Sequence, residues 1–545
     1  MVQSVVKEVW PAKSFREKQE SVLRACLNAF DNGYDNIVLD APTGSGKSLL
    51  NTALIRYFDD GFYSTPQKSL RTQIQNDPIL EPHIEELKSR RDYTCSITSN
   101  NCKDCSIYNH EEKSCAEENC SYWLRKQAVM SSDIATITFS MLIVDGMIPP
   151  KNSNGTRISF GDRDVIAIDE AHALVQQTRQ MHAGFDITPY GFPRGVIEKV
   201  TENISWEVSR FEEIEQELRI IENNLKDQYR DIPEWEMAPQ EKRCYRLVKN
   251  IQRAKKDVEN DNPWVVDVES KQYGNTPSKV LQLRPIHVDG FLKNFVWNRA
   301  NKRIISTATL RHRNNPDIWL NQVGLDPDKT RIISVEMTFP PSNRPVITNE
   351  MVCSMKQGGA EKNWGKILNK LNIIAKRYYN SKGICHTVSY SRAEKVKETI
   401  TEDEHPYLYG NIFLHKGEEE ADVAIEEWQE SDADLILSPS MMEGIDLSDE
   451  MGRYNILMKV PYPAQDSCTT YLCDETKYGW VDYFDRAAIR VAQAYGRTTR
   501  SNDDYSDFYI LDKDYEKLKK KAKLPDWLLE AEGYEPTGRK SMFDY

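Results

Sequence analysis

Short apolar runs rich in Ile, Val and Leu mark buried strands along the chain. Four of them are IVLD, VIAI, KRII and LILS, at residues 37–40, 165–168, 302–305 and 435–438. Runs without polar alternation are typical of strands covered on both faces, as in parallel sheets. Helical patterns stand at LLNTALIRYF and DYFDRAAIRVAQA, residues 49–58 and 482–494. The pattern therefore predicts an α/β fold built on parallel sheets.

The charged segment at residues 189–262 has a different pattern. Its apolar residues recur at helical spacing, at Trp206, Phe211, Ile214, Leu218, Ile221 and Leu225. This stripe predicts antiparallel helices packed around a core of their own. The chain runs 134 residues from His172 to Ser306, whereas a strand–helix–strand crossover takes about 30. We therefore expect a whole, mostly helical domain to be inserted here.

Length and charge restrict the classes of function. The 545 residues exceed what one hydrophobic core holds, so we expect three or four packing units. With 71 basic and 84 acidic residues the net charge is -13, so any contact with nucleic acid must come from a local basic groove. The chain has neither a leader-like start nor an apolar run of bilayer length. We expect a soluble, intracellular protein without a membrane partner.

A glycine-rich loop joins the first strand to a helix. Backbone N–H groups of such a loop surround phosphate oxygens, while its lysine reaches the β and γ phosphates and its serine binds Mg²⁺. The alternative is a chance glycine-rich turn, which the flanking strand and helix disfavour. The predicted nucleotide contacts are Thr43, Gly44, Ser45, Gly46, Lys47 and Ser48.

Two carboxylates, Asp169 and Glu170, follow the apolar run at residues 165–168. Ligands bind at this end of the strands in parallel sheets. Asp169 is suited to hold Mg²⁺, and Glu170 to orient and deprotonate the attacking water. Alone, the pair could be a solvated helix start. Together with Lys47 it predicts a site of NTP hydrolysis.

Two later segments carry charges suited to couple nucleotide state to a second domain. Gln493, Arg497 and Arg500 surround the end of a predicted helix, where arginines could reach a γ-phosphate held by another domain. A basic helix cap is the plainer alternative. Glu443, Gly444 and Asp446 follow the strand at 435–438. An ordinary strand-to-turn junction is the alternative there.

Five of the eleven cysteines fall within 26 residues. They are Cys95, Cys102, Cys105, Cys115 and Cys120, whereas Cys26, Cys244, Cys353, Cys385, Cys468 and Cys473 are scattered. The scattered six are expected to be buried thiols. The clustered thiolates could bind zinc or an iron–sulfur cluster, and spacing alone cannot choose the metal. Without further context, short clusters of this kind favour structural zinc.

Taken in order, six segments resemble the motifs of superfamily two helicases. They are FREKQ at 15–19, APTGSGKS, DEAH, STATL, MEGID and QAYGRTTR. The cysteine cluster, opening with RRDYTC and closing with CSYW, narrows the resemblance to the XPD/DinG-like iron–sulfur group, from Phe15 to about Asp512. It implies two RecA-like parallel-sheet motor domains, the first interrupted by a small iron–sulfur domain and a mostly helical arch.

The resemblance also implies domain limits and site roles. Motor domain 1 would comprise residues 1–90, 126–175 and 286–345, the iron–sulfur domain 91–125, the arch 176–285, and motor domain 2 346–545. Gln19 would recognise adenine, and Gln493, Arg497 and Arg500 would contact the γ-phosphate. The ligands of a 4Fe-4S cluster would be Cys95, Cys102, Cys105 and Cys120, with Cys115 or His110 as substitutes and zinc as the alternative metal.

In function, the resemblance implies an ATP- and Mg²⁺-dependent DNA helicase. Such a protein would travel on single-stranded DNA in the 5′ to 3′ direction and unwind forked or tailed duplexes in DNA repair or replication. It would act as a monomer in the cytoplasm near the nucleoid, or in the nucleus of a eukaryote. The alternatives are a translocase that remodels nucleoprotein without unwinding, and a non-catalytic DNA-binding protein.

Overall fold

Two parallel sheets and one smaller antiparallel sheet organise the chain. The computed structural model describes residues 2–66, 68–95, 120–151, 157–188, 206–229, 239–273, 276–416, 421–440, 445, 447, 449–499 and 501–537. No helix within these ranges combines the length and apolar character needed to cross a bilayer.

Domain 1 is built on a seven-stranded parallel sheet with the order β10-β1-β9-β5-β2-β4-β3. The strands are β1 Asn36–Asp40, β2 Gly61–Thr65, β3 Glu85–Glu86, β4 Ile134–Thr138, β5 Val165–Ile168, β9 Lys302–Thr307 and β10 Thr330–Ser334. Ile37 and Leu39 pack into one apolar cluster and Val38 into another. The apolar runs are continuous because both sheet faces are covered.

Helices cover both faces of this sheet. They are α1 Val2–Val9, α2 Gln19–Asp31, α3 Lys47–Phe58, α4 Lys68–Asn76, α5 Ser121–Met130, α6 Phe139–Met147, α7 Leu174–Gln177, α10 Asp289–Phe295 and α11 Asp317–Gln322. A π-helical turn, Thr178–Ala183, continues α7. The connection from β4 to α6 has a local cause, since the Thr138 side chain accepts a hydrogen bond from the Met141 N–H and caps the helix.

The arch is the domain inserted between β5 and β9. It contains β6 Phe185–Ile187, α8 Phe211–Tyr229, α9 Pro239–Glu259, β7 Trp264–Tyr273 and β8 Thr276–Pro285, the strands pairing antiparallel in the order β6-β8-β7. The predicted stripe from Phe211 to Leu225 is buried against α9 and the sheet, which confirms the packed helices. The expectation of a mostly helical domain missed the hairpin of β7 and β8.

Domain 2 carries a six-stranded parallel sheet with the order β11-β16-β15-β12-β14-β13. The strands are β11 Val346–Ile347, β12 Gly383–His386, β13 Ile412–Leu414, β14 Leu435–Ser438, β15 Tyr454–Leu457 and β16 Asp507–Ile510. The helices are α12 Gln357–Lys362, α13 Trp364–Arg377, α14 Tyr390–Thr399, α15 Ala421–Glu430, α16 Ser467–Glu475, α17 Gly479–Tyr495, α18 Asp514–Lys521 and α19 Asp526–Leu529. The prediction of two parallel-sheet α/β domains is confirmed.

The arch also rests on domain 2. The Ser467 N–H at the start of α16 donates to Asp267 of β7 at 3.0 Å. Arg210 pairs with Glu475 at 2.7 Å. Between these polar contacts, Val265 packs in one apolar cluster with Leu472. An insertion that belongs to domain 1 by sequence is therefore bound to both domains.

One buried ion pair stabilises the return of the chain into domain 1. Asp145 of α6 accepts from Arg299 at 2.7 Å and from the Phe160 N–H at 3.0 Å. Arg299 also donates to the Leu142 carbonyl at 2.9 Å. Both charged side chains are buried. Removal of either leaves the other charge in a low-dielectric environment.

We therefore predict that Asp145→Ala lowers the free energy of unfolding by about 3 kcal/mol, as measured by urea denaturation. The matched control is Glu215→Ala, which removes the exposed pair of Glu215 and Arg219 on α8 and should cost less than about 0.5 kcal/mol. Equal effects of the two substitutions would contradict the role given to the buried pair.

Candidate active site

The glycine-rich loop lies between β1 and α3, as the sequence predicted. Gly44 and Gly46 adopt φ of +79° and +85°, a backbone conformation that residues with a side chain rarely adopt. Lys47 is the first residue of α3, and its buried Nζ donates to the Ala41 carbonyl at 3.2 Å. The lysine side chain thus folds back over the loop at the N-terminus of the helix, an arrangement that suits phosphate binding.

Gln19 connects this loop to a cavity. Its Oε1 accepts from the Arg16 N–H at 2.8 Å, and its Nε2 donates to the Ser45 carbonyl at 3.1 Å. A Cβ atom at Gly46 would collide with the Gln19 amide, so the glycine permits this contact. The adjoining cavity of about 320 Å³ is lined by Gln19 and Phe339 and, across from them, by Asn502 of domain 2. Its position is consistent with the predicted adenine site.

Asp169 and Glu170 lie at the carboxyl end of β5. Asp169 accepts hydrogen bonds from the Ser306 hydroxyl at 2.9 Å and from the Glu170 N–H at 2.9 Å. Burial raises the pKa of Asp169, and so does the charge of Glu170. Glu170 has a φ of +49°, a strained conformation for a residue with a side chain. This turn directs its carboxylate to Lys47, 3.8 Å from Nζ.

Glu170 is held ionised despite its burial. Burial acts to raise the pKa of this carboxyl, but Lys47, His172 and Arg497 outweigh it and lower the pKa below its ordinary value. Two of these three groups come from domain 1 and Arg497 from domain 2. A carboxylate that keeps its charge in a buried site can orient water and accept its proton.

His172 links this carboxylate to domain 2. Its Nδ1 lies 3.3 Å from Glu170 Oε2, and its Nε2 lies 2.6 Å from Nε2 of Gln493. In this orientation the Gln493 amide donates, so His172 Nε2 is the acceptor and the ring proton resides on Nδ1, facing Glu170. These two contacts connect Glu170 to α17 through the His172 ring.

Arg497 and Gly496 lie across the cleft from the loop. Arg497 is buried and donates to the backbone carbonyls of Gln493 and Ile445, both at 2.9 Å. A Cβ atom at Gly496 would lie 2.5 Å from the Thr43 hydroxyl oxygen. That hydroxyl is buried and has no hydrogen-bond partner among the described residues, which fits a position facing a ligand.

A second polar contact joins α17 to the segment that follows β9. Asp482 forms an ion pair with Arg311, and its carboxylate lies 3.1 Å from His312 Nε2. The His312 N–H donates to Asp485 at 2.6 Å. Burial raises the pKa of Asp485, whereas Arg311 and His312 lower that of Asp482 against the effect of its burial. The two domains therefore meet through charged side chains.

The structure brings together most of the predicted site residues. Lys47, Asp169, Glu170, Gln493 and Arg497 surround one cleft, with Ser48 beside Tyr63 behind Asp169. Arg500, Glu443, Gly444 and Asp446 lie outside the described residues.

Only the two ends of the cysteine cluster are described. The Ser121 hydroxyl donates to the Thr94 carbonyl at 3.3 Å, and the rings of Tyr93 and Tyr122 meet edge to face at 5.4 Å. The chain thus enters the cluster segment at Cys95 next to where it leaves at Cys120. Cys102, Cys105, Cys115 and His110 lie outside the described residues. Within the described part, no three His, Cys, Asp or Glu side chains form a metal-binding group.

Two family models match the chain. The Helicase C-terminal domain matches residues 373–531, and the Type III restriction enzyme, res subunit, matches residues 12–209. The first falls in domain 2, and the second includes the glycine-rich loop and the Asp169–Glu170 turn.

Named relatives match over shorter segments. The ATP-dependent DNA helicase DinG of Photobacterium profundum is 22% identical over 260 residues, 45% of this chain and 36% of that protein. The general transcription and DNA repair factor IIH helicase subunit XPD of Dictyostelium discoideum is 34% identical over 94 residues, 16% of this chain and 12% of that protein. The matched segments thus span 36% of the DinG protein and only 12% of the XPD protein.

Solved structures match over nearly the whole chain. An XPD helicase structure superposes with a TM-score of 0.61 at 15% identity, covering 96% of this chain and 100% of the other. The structure of S. tokodaii Xpd4 gives a TM-score of 0.55 at 14% identity, covering 94% and 100%. The chain is similar in sequence to helicases named DinG and XPD, and it shares the fold of the XPD structures.

The candidate site contains residues whose roles the sequence did not predict. Ser306, in the STATL segment, is fully buried, donates to Asp169, and accepts from Asn51 at 2.8 Å. The Tyr63 hydroxyl reaches Asp169 at 3.4 Å. A signal existed for Ser306, because polar residues that end a buried strand meet at one edge of a parallel sheet.

We predict that Gly496→Ala weakens binding of a non-hydrolysable ATP analogue at least tenfold, because the new Cβ would press on Thr43 and hold the cleft open. Isothermal titration calorimetry measures the affinity. The matched control is Gly365→Ala on α13, where a Cβ meets no atom within 4 Å. Unchanged affinity in the Gly496→Ala variant would show that analogue binding does not need this approach of the two domains.

Proposed function

We propose that this chain is an ATP-dependent DNA helicase that travels on single-stranded DNA in the 5′ to 3′ direction and separates forked or tailed duplexes. The observation that carries the proposal is the chain of contacts from Lys47 through Glu170 and His172 to Gln493. It joins a phosphate-binding loop in one domain to a helix of the other. Hydrolysis at such a site depends on how the two domains meet.

The proposed chemistry assigns separate tasks to the residues of the cleft. Lys47 would neutralise the β and γ phosphates, and Ser48 and Asp169 would hold Mg²⁺, which shields the phosphate oxygens when bound. Glu170, ionised by its cationic neighbours, would orient the attacking water and accept its proton. Arg497 would stabilise charge on the transferred phosphoryl group from domain 2, with Arg500 in the same role.

Movement along a strand would follow from opening and closing of this cleft. In the closed form, the His172–Gln493 and Arg311–Asp482 contacts hold domain 2 against domain 1. Loss of the γ-phosphate would remove the charge that Arg497 faces and weaken closure. If the two domains release and bind the strand in turn as the cleft opens and closes, the protein would advance along it. Glu443, Gly444 and Asp446, which follow β14 in the sequence, are proposed to make strand binding by domain 2 depend on the bound nucleotide.

An iron–sulfur cluster is proposed for the segment between Cys95 and Cys120. The adjacency of its two ends fits a compact metal site, because first and last ligands must meet at one centre. Cys102 and Cys105 are proposed as the other two ligands, with Cys115 or His110 as substitutes. A cluster would supply the rigidity that so short a segment cannot obtain from a hydrophobic core. The residues proposed for this domain are 91–125.

The remaining proposals concern organisation and setting. Domain 1 would comprise residues 1–90, 126–175 and 286–345, the arch 176–285 and domain 2 346–545, in keeping with the sheets and the inserted hairpin. We propose a monomeric motor acting in DNA repair or replication, in the nucleoid-containing cytoplasm or in a nucleus. The relatives named above are DNA helicases by name, which supports DNA as the substrate.

The experiment that tests the function compares duplexes with a 5′ or a 3′ single-stranded tail, using protein purified without oxygen. We expect ATP-dependent unwinding only from the 5′ tail. Glu170→Gln should still bind ATP and DNA but hydrolyse ATP at least a hundredfold more slowly, because only water activation is removed. Gel separation of the strands and phosphate release are the two measurements.

The outcomes separate the alternatives. Hydrolysis stimulated by single-stranded DNA without unwinding of either duplex would favour a translocase that remodels nucleoprotein. Undiminished hydrolysis by Glu170→Gln would contradict the assignment of the catalytic base. DNA binding by the wild type without any ATP hydrolysis would favour a non-catalytic DNA-binding protein.

A separate prediction concerns the metal. Anaerobically purified protein should contain about four iron atoms per chain and absorb near the blue end of the visible spectrum. Cys102→Ser should lose iron and unwinding while keeping affinity for ATP, whereas Cys385→Ser, at a thiol buried within domain 2, should keep its iron. Stoichiometric zinc in place of iron would establish the alternative metal.

A further inference from the structure

A second cavity lies in the cleft between the two domains. It measures about 230 Å³ and is bordered by His172 and Gln493, the pair that joins the domains. From domain 1 it receives Gln176, Gln177 and Gln180 of the α7 segment and Arg311, and from domain 2 Arg486 and Arg490. None of these residues lines the 320 Å³ cavity beside Gln19. The two cavities are therefore separate sites.

The walls of this cavity carry an excess of positive charge. Arg486 and Arg490 stand one helical turn apart on α17, with Gln493 almost one further turn along the same face. Arg311 and Arg486 share one acidic partner, Asp482, which lies 3.2 Å from the Arg486 Nε. Arg490 makes no ion pair with any described residue. The guanidinium groups of Arg311, Arg486 and Arg490 thus line the cavity, and Asp482 pairs with the first two of them.

The remaining groups are suited to an anion rather than to a base. The cavity is bordered by amide side chains that can donate, and its apolar wall is limited to Ala173 and Ile489. Planar guanidinium groups bind phosphate oxygens in a bidentate manner. Among the described residues that line the cavity there is no Phe, Tyr or Trp ring, and the His172 ring is already in contact with Glu170 and Gln493, so a nucleobase has no free platform for stacking there. A phosphate group fits this chemistry.

The position of the cavity argues for a phosphate other than those of ATP. Gln177 on its border donates to the Pro66 carbonyl at 3.3 Å, just beyond the end of β2. In the sheet order, β2 lies beyond β5 on the side away from β1 and its glycine-rich loop. The cavity therefore opens on the far side of His172 from the nucleotide loop.

We propose that this cavity binds one phosphodiester group of the single strand on which the protein moves, with Arg490 and Arg486 as its main contacts. The inference rests on the proposed function and adds a specific strand site to it. Because both His172 and Gln493 border the cavity and His172 contacts Glu170, only the His172 ring separates an occupied site from the proposed catalytic carboxylate. Strand binding there would stiffen the chain that orients Glu170.

The test measures affinity for a fluorescent oligothymidylate by anisotropy at several salt concentrations, without nucleotide. Arg490→Gln should weaken binding roughly tenfold, as expected for a hydrogen bond to a charged group. The slope of log affinity against log salt should fall in magnitude by about 0.7, the value for one phosphate contact on a single strand. Arg490→Lys should keep the slope.

The matched control is Lys366→Gln, which removes one exposed positive charge from α13, a helix packed on the other face of the domain 2 sheet from α17. It should alter neither affinity nor slope. Thermal melting of each variant checks that the fold is intact.

A tenfold loss of affinity and a smaller salt slope in Arg490→Gln alone would support the strand site. Wild-type binding with an unchanged affinity and slope in Arg490→Gln would overturn the strand site and leave the proposed function standing. Equal losses in Arg490→Gln and Lys366→Gln would show only a general charge effect and would likewise overturn it. Inorganic phosphate can also be added as a competitor. If Arg490→Gln lost the inhibition of ATP hydrolysis by inorganic phosphate but kept the wild-type affinity for the strand, the cavity would be a site for free phosphate and the strand site would be overturned. A wild type that does not bind the oligonucleotide would contradict the proposed function itself.

Discussion

Two adjacent carboxylates buried at the end of one strand are the constraint on which this molecule depends. Asp169 is buried and Glu170 is largely so, and the charge of Glu170 adds to burial in raising the pKa of Asp169. The site remains useful for hydrolysis only because Lys47 and His172 approach from one domain and Arg497 from the other. The ionised state of Glu170 therefore depends in part on contact between the two domains, because Arg497 belongs to domain 2.

The parallel sheets explain why so much of this site was predictable. Their strands all end at one edge, so short polar motifs after apolar runs must converge there. Lys47, Asp169 and Glu170 each follow that rule, and the structure brings them together as predicted. Gln493 and Arg497 were predicted from a different signal, a charged helix end. Their approach to Glu170 depends on the packing of two domains, which no local pattern specifies.

What the sequence did not predict has physical causes of two kinds. The Ser306 hydroxyl could face solvent or the core, and only the neighbouring strand β5 decides that it binds Asp169. The β7–β8 hairpin was hidden because the helical stripe dominated the composition of the arch. Its own signal, the apolar–polar alternation from Val266 to Glu269 followed by Gly-Asn at 274–275, is short-range and typical of a hairpin.

That hairpin alters how the arch is understood. Through β7 it contacts α16 with Asp267 and an apolar cluster around Leu472, so the insertion is fastened to domain 2 as well as to the domain from which it emerges. Helix α16 packs directly against α17, which carries Gln493. A change in the cleft that displaces α17 must either strain the β7–α16 contact or carry the arch with it. The arch is also held to domain 1, where Arg179 donates to the Pro285 carbonyl at 3.0 Å, so a displacement of α17 is resisted by contacts on both sides of the arch.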